Sequence, residues 1–460
     1  MAVFDFQKLS RVAIFRSGLA IVLFADVAHL WIYRAVFPSL ATTHDVWLIF
    51  AIWVASLLTM VFGYKTKSST AFNYLLCMLM FGVLAPAMGF DQGAGDSIAL
   101  TLSLLATVFA WLPSAKVAGT ILPLYLSEVY LDAGIHKLLS PMWRAGSGFT
   151  TPLTLPSLVW IHTAWLSWFP AVLLRATGWA VIAFELWFPV LYFLRRTRIF
   201  ALMAGVGMHV GIILFYPIPI FSGLMLVPYV ALLPGYRERI AWPREKKILG
   251  LAGALVMVAV LNFYLAKSVP LRGLGFALRS ARRATFVLTG LSGHGVFADE
   301  LFQRYNYQLR LIANGEPEPY SRGNQLAIGV RDRTWENWWK KTQGPWVRLP
   351  RAEANLEIWA SLYWPKANDI EIEARPQVVD MRAADTSLFS INDRIPWRRV
   401  GMIRFSASGK RELAWDHPSR GDADLGSYMT RVLRGQASNV SKMGTFRLAF
   451  RSALNAHIIV

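Results

Sequence analysis

Residues 117–143 read VAGTILPLYLSEVYLDAGIHKLLSPMW. The first part of this stretch is long and apolar enough to cross a bilayer as a helix. Its end nevertheless carries Asp132, His136 and Lys137. Ionisable side chains are costly inside a membrane, so they usually face the interior of a helix bundle and mark a functional path. The stretch therefore predicts a membrane bundle with a polar site at one end of a helix.

The rest of the chain agrees with a membrane bundle. Of its 460 residues 55% are hydrophobic, and the mean hydropathy of +0.39 is high for a soluble protein. Apolar runs of spanning length lie at roughly 12–33, 46–63, 69–88, 97–113, 117–137, 177–194, 199–216, 218–234 and 248–266. We expect an α-helical integral membrane bundle of about eight or nine helices.

Basic residues in the loops predict the orientation of this bundle, because Lys and Arg accumulate on the cytoplasmic side. With a cytoplasmic N-terminus, the basic groups at 8–16, 65–67, 116, 195–198 and 237–247 all fall on one side. The ninth run then leads to the opposite side. The sequence predicts a multi-pass protein of the cell inner (cytoplasmic) membrane with an extracytoplasmic C-terminal region.

The C-terminal part of the chain has a different pattern. From about residue 285 hydrophobicity falls, and NG and SG turn signals separate short alternating runs, namely YQLRLI, LEIWASLYW, DIEIEARPQVV, RRVGMIRFSA and FRLAF. We predict a transmembrane domain over residues 1–280 and an extracytoplasmic β-rich domain over residues 281–460. Its tryptophan-rich stretch at 333–346 is expected to pack against the bundle or to bind a peptide or a lipid face.

Residues 140–178, between the fifth and sixth runs, are rich in Pro and Trp. This composition is typical of an interfacial or re-entrant helix rather than a full span. Such a segment either roofs a cavity in the bundle or serves only as an amphipathic connector.

Charge and cysteine content exclude several classes of protein. The net charge of +19 is spread along the chain, as membrane topology and anionic lipid require, so no nucleic-acid partner is predicted. The single cysteine, Cys77, excludes an intramolecular disulfide and a thiolate metal cluster. The sequence contains no P-loop and no HExxH zinc motif.

A polar stripe runs along the fifth apolar run. On a helix Glu128, Asp132 and His136 recur every fourth position and share one face, and Lys137 lies one position further round. Such a group marks a proton or substrate path, or it forms a polar seam that ties helices together. A metal site is the weaker interpretation, because His136 and Asp132 supply only part of a ligand shell, and no metal is predicted.

Lys137 has the most distinctive chemistry of this group. An amine in an apolar pocket loses hydration and can then act as a base near neutral pH. A base in an aromatic membrane cavity suits an apolar acidic substrate such as a phenol or a hydroquinone, and lipid-soluble quinols fit that description. Glu185 and His209 lie in other predicted spans, and we expect them to support the polar pocket together with Glu128 and Tyr130.

The sequence YLDAGIHKLLSPMWRAG, residues 130–146, resembles the Tyr-x-x-Ala-Gly-x-x-Lys-Leu and Trp-x-x-Gly signature of the vitamin K-dependent gamma-carboxylase family, also called the horizontally transferred transmembrane domain (HTTM) family. The matching residues are Tyr130, Ala133, Gly134, Lys137, Leu138, Trp143 and Gly146. Weaker similarity extends to the first apolar run, to FELWFP, to His209 with the following FSGLML, and to residues 294–315. The resemblance covers about 300 residues.

This resemblance implies a role for each matching part. The corresponding lysine of the eukaryotic carboxylase deprotonates vitamin K hydroquinone, so Lys137 is expected to be the catalytic base, tuned by His136 and Asp132, with Trp143 contacting the quinol. Oxygen then adds to the quinol anion, and the basic product removes a proton from a peptide glutamate, which captures carbon dioxide. The implied cofactor is reduced vitamin K or a menaquinol-like quinol, and the implied partners are the lipid bilayer, the quinol, oxygen, carbon dioxide and a secreted peptide.

Two functions of different classes are consistent with these patterns. The first is a membrane-embedded enzyme that deprotonates and oxygenates a quinol to its epoxide, with or without carboxylation of peptide glutamate. The second is a non-enzymatic membrane partner or scaffold for a secreted peptide or protein complex, in which the polar groups only hold helices together. Substitution of Lys137 distinguishes them, because it abolishes epoxide formation in the first and damages folding or complex recovery in the second.

Overall fold

The structure, a computed structural model, describes residues 10–32, 46–84, 94–112, 115–155, 159, 161, 163–216, 218–233, 287–290, 307–317, 367–376, 396–405 and 411–416. These residues are mostly helical, with a small antiparallel sheet. Several predicted elements lie outside the described residues: the ninth apolar run at 248–266, the tryptophan-rich stretch at 333–346, and the runs LEIWASLYW and FRLAF.

Helices occupy the first eight predicted apolar runs. Within the described residues they are α1 (Arg11–Ile32), α2 (Val46–Phe62), α3 (Thr66–Cys77), α4 (Ala94–Trp111), α5 (Ala115–Leu139), α6 (Ala171–Phe193), α7 (Arg198–Phe215) and α8 (Pro219–Leu232). Helix α3 continues as a π-helix over Met78–Leu84. Helix α6 begins at Ala171, before the predicted residue 177. Arg175, Thr177 and Gly178 lower the local hydropathy, but the helix continues through them.

All eight helices contribute side chains to one apolar core. Phe15 of α1 and Phe109 of α4 meet edge to face with ring centroids 5.5 Å apart. A polar contact lies inside this core, where Trp53 Nε1 donates to Asn73 Oδ1 at 2.9 Å and Asn73 Nδ2 donates to Ser103 Oγ at 3.1 Å. Because buried polar groups are costly unless they are paired, this network fixes how α2, α3 and α4 meet.

Basic and aromatic side chains collect where several helix ends meet. Arg16 Nε donates to the carbonyl of Met60 at 2.8 Å, which joins the start of α1 to the end of α2. Lys67 Nζ lies 5.1 Å from the centroid of the Trp111 ring, which joins the start of α3 to the end of α4. Basic groups that are separate in the sequence therefore share one end of the helical assembly.

Helices α6 and α7 have apolar outer faces. Of the described helices, these two are long and apolar enough to cross a membrane, and only 28% of the apolar window of each is buried. Three shorter apolar helices are Trp47–Phe62, Gly95–Trp111 and Pro219–Leu232. Large side chains such as Trp187, Phe200 and Met203 are exposed on α6 and α7. Soluble monomers rarely expose contiguous apolar faces of this kind, which suits contact with lipid.

Over its described residues, the segment between α5 and α6 forms short turns and not the one interfacial or re-entrant helix that its composition predicts. It contains the one-turn helices Pro141–Arg144 and Thr150–Leu153 and the 3-10 turn Ala164–Trp168. Gly146 has a φ of 82°, a left-handed conformation that ends the first turn and favours glycine. His162 lies outside the described residues.

Five strands form one antiparallel sheet in the order β2-β1-β3-β4-β5, with β1 (Tyr307–Ala313), β2 (Glu316–Pro317), β3 (Asp369–Pro376), β4 (Arg398–Phe405) and β5 (Arg411–Trp415). Asn314 and Gly315 have φ angles of 54° and 80° and join β1 to β2, so the predicted NG turn is confirmed. The strands predicted at YQLRLI, DIEIEARPQVV and RRVGMIRFSA are also present. Strand β5 is not predicted from the sequence, because RELAW is short and two of its five residues are charged.

Residues 287–290, just after the predicted domain boundary, contact the helices. Thr101 Oγ1 of α4 donates to the carbonyl of Thr289 at 2.8 Å, and Tyr74 of α3 donates to the carbonyl of Leu288. The division of the chain near residue 280 stays a prediction.

Candidate functional site

A buried ion pair joins α5 to α6. Lys137 Nζ lies 2.7 Å from Glu185 Oε1 and 2.8 Å from Glu185 Oε2, so the ammonium contacts both carboxylate oxygens. Each side chain is only 5% exposed. Buried charges of this kind persist only when they are paired, and breaking such a pair is strongly destabilising. Of the described carboxylates, Glu185 rather than the predicted Asp132 contacts the Lys137 amine.

Gly134 lets these two helices approach each other at the pair. A Cβ added to Gly134 would lie 3.1 Å from Glu185 Cβ and equally close to the Leu186 side chain. Small residues at a helix crossing allow the two backbones to come close. The Ala-Gly step that precedes Lys137 by one turn therefore sets the distance across which the amine reaches Glu185.

Trp143 lies beside the same amine. Lys137 Nζ is 5.4 Å from the centroid of the Trp143 ring, within the range of a cation–π contact. Ser140 caps the one-turn helix that carries this ring, because its Oγ accepts from the Trp143 amide at 3.2 Å. A Cβ on Gly148 would lie 2.2 Å from Trp143 Cδ2, so only glycine allows the chain to fold back under the indole.

A chain of hydrogen bonds connects three helices nearby. Tyr229 of α8 donates its hydroxyl proton to the Tyr130 oxygen of α5 at 2.5 Å, and Tyr130 lies 2.8 Å from His209 Nε2 of α7. Tyr130 therefore lies between two hydrogen-bonding partners, the Tyr229 hydroxyl and the His209 imidazole. All three side chains are buried.

Asp132 and His136 form a separate pair on another side of α5. His136 Nδ1 lies 2.8 Å from the Asp132 carbonyl and 3.3 Å from Asp132 Oδ1. The predicted contact at helical spacing is therefore present, but neither residue lines the cavity beside Lys137. Glu128, half-buried on the same stripe, does not line it either.

The remaining predicted site residues surround one apolar cavity of about 840 Å³. Its polar lining groups include Lys137, Glu185, Tyr130 and His209, whereas aromatic and aliphatic side chains from α5, α6, α7 and α8 form most of the wall. Trp143, Gly148, Phe149, Pro152 and Leu153 close one side. The segment between α5 and α6 thus contributes to a cavity wall, as one of its two interpretations predicts. A large apolar cavity with a few convergent polar groups is typical of a small-molecule site.

Two features of the site are absent from the sequence prediction. Tyr229 completes the chain to His209, yet in the sequence it is one tyrosine in an apolar run with no polar residue three or four positions away. The pairing of Lys137 with Glu185 also cannot be predicted from the nearby sequence, because the two residues are 48 positions apart. Among the described residues, no group of three His, Cys, Asp or Glu side chains is placed to hold a metal ion.

The chain matches no protein-family model, no curated protein and no solved structure.

Proposed function

We propose that this protein is a membrane-embedded enzyme of the vitamin K-dependent gamma-carboxylase type, which deprotonates a lipid-soluble quinol and directs its oxygenation to the epoxide. The observation that carries the proposal is the buried Lys137–Glu185 pair in the wall of an apolar cavity. An ion pair that serves only to join two helices has no need of a cavity beside it.

The cavity suits a quinol in both size and polarity. A volume of about 840 Å³ lies within the range of roughly 300–1,000 Å³ that is typical of small-molecule sites. Phe184 and Trp143 provide aromatic surface for a ring, and Lys137 and Tyr130 provide polar contacts for its oxygens. A bound quinol would supply the electrons that reduce oxygen, since one quinol and one O₂ yield one epoxide and one water.

The Lys137–Glu185 pair can act as one base. The pair carries no net charge when the amine is protonated and the carboxyl is not, and it can accept one further proton. Whether that proton reaches the carboxylate directly, or reaches a neutral amine after internal transfer, the end state is the same. Lys137 is then an ammonium beside a protonated Glu185, and its positive charge stabilises the ligand oxygen that has lost the proton.

Trp143 and the Tyr130–His209–Tyr229 chain have supporting roles in this proposal. The Trp143 ring lies 5.4 Å from the ammonium and is itself buried, so its bulk helps to keep water away from the pair. The hydrogen-bonded chain offers a second polar contact at the cavity wall. Asp132 and His136, which pair with each other outside the cavity, are assigned no direct contact with the ligand.

We further propose that the helices form a multi-pass bundle in the cytoplasmic membrane with a cytoplasmic N-terminus. Support comes from the apolar outer faces of α6 and α7 and from the three shorter apolar helices. Arg16 and Lys67 share one end of the assembly, as expected of its cytoplasmic side. Lys137 lies at the C-terminal end of α5, which this orientation places near the extracytoplasmic face.

Epoxide formation by the purified protein tests the proposed function. Supplied with a naphthoquinol and oxygen, the wild type is expected to yield epoxide, and Lys137→Met is expected to slow it by about 100-fold or more, as for loss of a general base. Lys67→Met, at an exposed lysine over Trp111, is the matched control and should retain full activity. Labelled carbon dioxide and a glutamate peptide in the same assay test the carboxylation that the family resemblance implies. Equal epoxide yields from wild type and Lys137→Met would remove the pair from the chemistry.

A further inference from the structure

Several residues of α6 and α7 line the cavity that contains the Lys137–Glu185 pair and are also exposed, which indicates an opening between these two helices. Trp187 on α6 and Phe200 on α7 both line the cavity, yet each is 60% exposed. Ala180 and Ala183 of α6 also line the cavity and are exposed. A wall residue that is exposed to the outside marks the place where a cavity meets the exterior.

Glycines on α7 keep this opening clear. A Cβ added to Gly207 or to Gly211 would meet no atom within 4 Å, and both residues line the cavity. Gly205 on the same helix is different, because an added Cβ would lie 2.2 Å from the Tyr229 hydroxyl. Close packing therefore explains Gly205 but does not explain Gly207 or Gly211. Glycine weakens a helix relative to alanine, so its use at two open positions calls for a reason other than packing.

We propose that this opening is a lateral portal, which lets the apolar tail of a quinol extend from the cavity into the bilayer and makes the protein selective for long-tailed quinols. The portal is defined by Thr177, Ala180, Ala183 and Trp187 on α6 and by Phe200, Ala204, Gly207 and Gly211 on α7. The inference rests on the proposed quinol chemistry for the identity of the ligand head, whereas the opening itself rests on the geometry of α6 and α7.

Two observations favour an apolar chain in the portal. Among the described helices, α6 and α7 are the two that are long and apolar enough to cross a membrane, so an opening between them faces the hydrocarbon region when they cross a bilayer. The α6 side of the portal extends from Thr177 to Trp187, which is about 15 Å at the helical rise per residue. A slot of this length between apolar side chains fits an extended hydrocarbon chain. When the ring is bound at Lys137, its hydrocarbon chain can extend through the portal and does not have to fold inside the cavity.

Filling the portal tests this selectivity. Gly207→Leu and Gly211→Leu place bulk in open space, and Val210→Leu, on an exposed residue of α7 that does not line the cavity, is the matched control. The probes are 2-methyl-1,4-naphthoquinol and the same ring carrying a twenty-carbon isoprenoid chain. We expect each glycine substitution to weaken binding of the long-tailed probe by about tenfold or more and to leave binding of the bare ring within about twofold. Equal effects on both probes, or no effect on the long-tailed probe, would overturn the portal.

Cysteine labelling tests the opening without any quinol chemistry. Cys77 is the only cysteine, so Cys77→Ser gives a background in which Gly207→Cys, Val210→Cys and the buried Ala201→Cys are labelled by an alkyl maleimide in phospholipid vesicles. An open portal predicts that Gly207→Cys reacts nearly as fast as Val210→Cys, and that the long-tailed quinone protects the former alone.

Labelling of Gly207→Cys as slow as that of Ala201→Cys would refute the opening. Protection by phospholipid alone, without quinone, would assign the slot to an acyl chain and overturn the quinol tail. If the wild type binds neither quinol, the proposed function is refuted. The labelling rates measured without quinone would still show whether the opening between α6 and α7 exists.

Discussion

Removing one member of the Lys137–Glu185 pair should destabilise the protein far more than removing both. The substitution Lys137→Met leaves the Glu185 carboxylate buried without its cation, and breaking a buried pair in this way typically costs about 3–5 kcal/mol. Both side chains are 5% exposed, so solvent screening reduces that cost only slightly. The double substitution Lys137→Met with Glu185→Leu replaces both groups by apolar side chains of similar size, and such replacements are commonly neutral or stabilising by about 1–4 kcal/mol.

Thermal unfolding in detergent and epoxide formation should be measured on the same four proteins: wild type, the two single variants and the double variant. The coupling between the two positions, obtained from the double-mutant cycle, is expected to be several kcal/mol. The double variant should unfold near the wild-type temperature and yet form no epoxide. Stability and chemistry are then separated, because the variant keeps the fold and lacks the base.

Two outcomes would refute this reasoning. If Lys137→Met unfolds at the wild-type temperature, Glu185 is not buried beside the amine. If the stable double variant forms epoxide at the wild-type rate, the pair is a structural contact between α5 and α6 and the polar-seam interpretation is correct.

Two further predictions concern packing inside the helical assembly. Asn73→Leu removes the hydrogen bonds of a buried amide to Trp53 and Ser103 and leaves the Trp53 indole without an acceptor, so we expect a loss of about 2 kcal/mol or more in the free energy of unfolding, measured by heat or denaturant; an unchanged midpoint would contradict the network. Gly205→Ala should lower the unfolding temperature because its methyl group meets the Tyr229 hydroxyl, whereas Gly207→Ala should leave stability unchanged or raise it by up to about 1 kcal/mol. Equal effects at the two glycines would contradict the described packing of α7.

The positions of the helices follow from the sequence because each apolar run is long and bounded by polar or basic residues. The same holds for the hairpin at Asn314 and Gly315, since two successive residues with positive φ favour this dipeptide. The break-up of residues 140–178 into short turns is less predictable. Proline and glycine indicate interruptions, but their number does not determine where each turn starts.

Part of the membership of the candidate site is predictable from the sequence, but the pairing of its residues is not. Ionisable residues inside apolar runs are rare, so Lys137, Glu185 and His209 are recognisable one by one. Helical spacing correctly brings Asp132 to His136, yet it does not determine which face of α5 turns toward the cavity. The face of α5 that turns toward the cavity depends on how α5 is rotated against α6. Gly134 allows the two helices to pack closely in this rotation. Such packing leaves no periodic pattern in the sequence.

Mass spectrometry of lipid extracted from the purified protein tests most directly whether the cavity beside Lys137 and Glu185 binds a quinone. We expect the wild type to retain a quinone in stoichiometric amount and the stable double variant at Lys137 and Glu185 to retain at least about tenfold less, since charge-assisted hydrogen bonds to the ring oxygens are lost. Wild-type protein without any quinone, or equal amounts in the two proteins, would contradict this expectation.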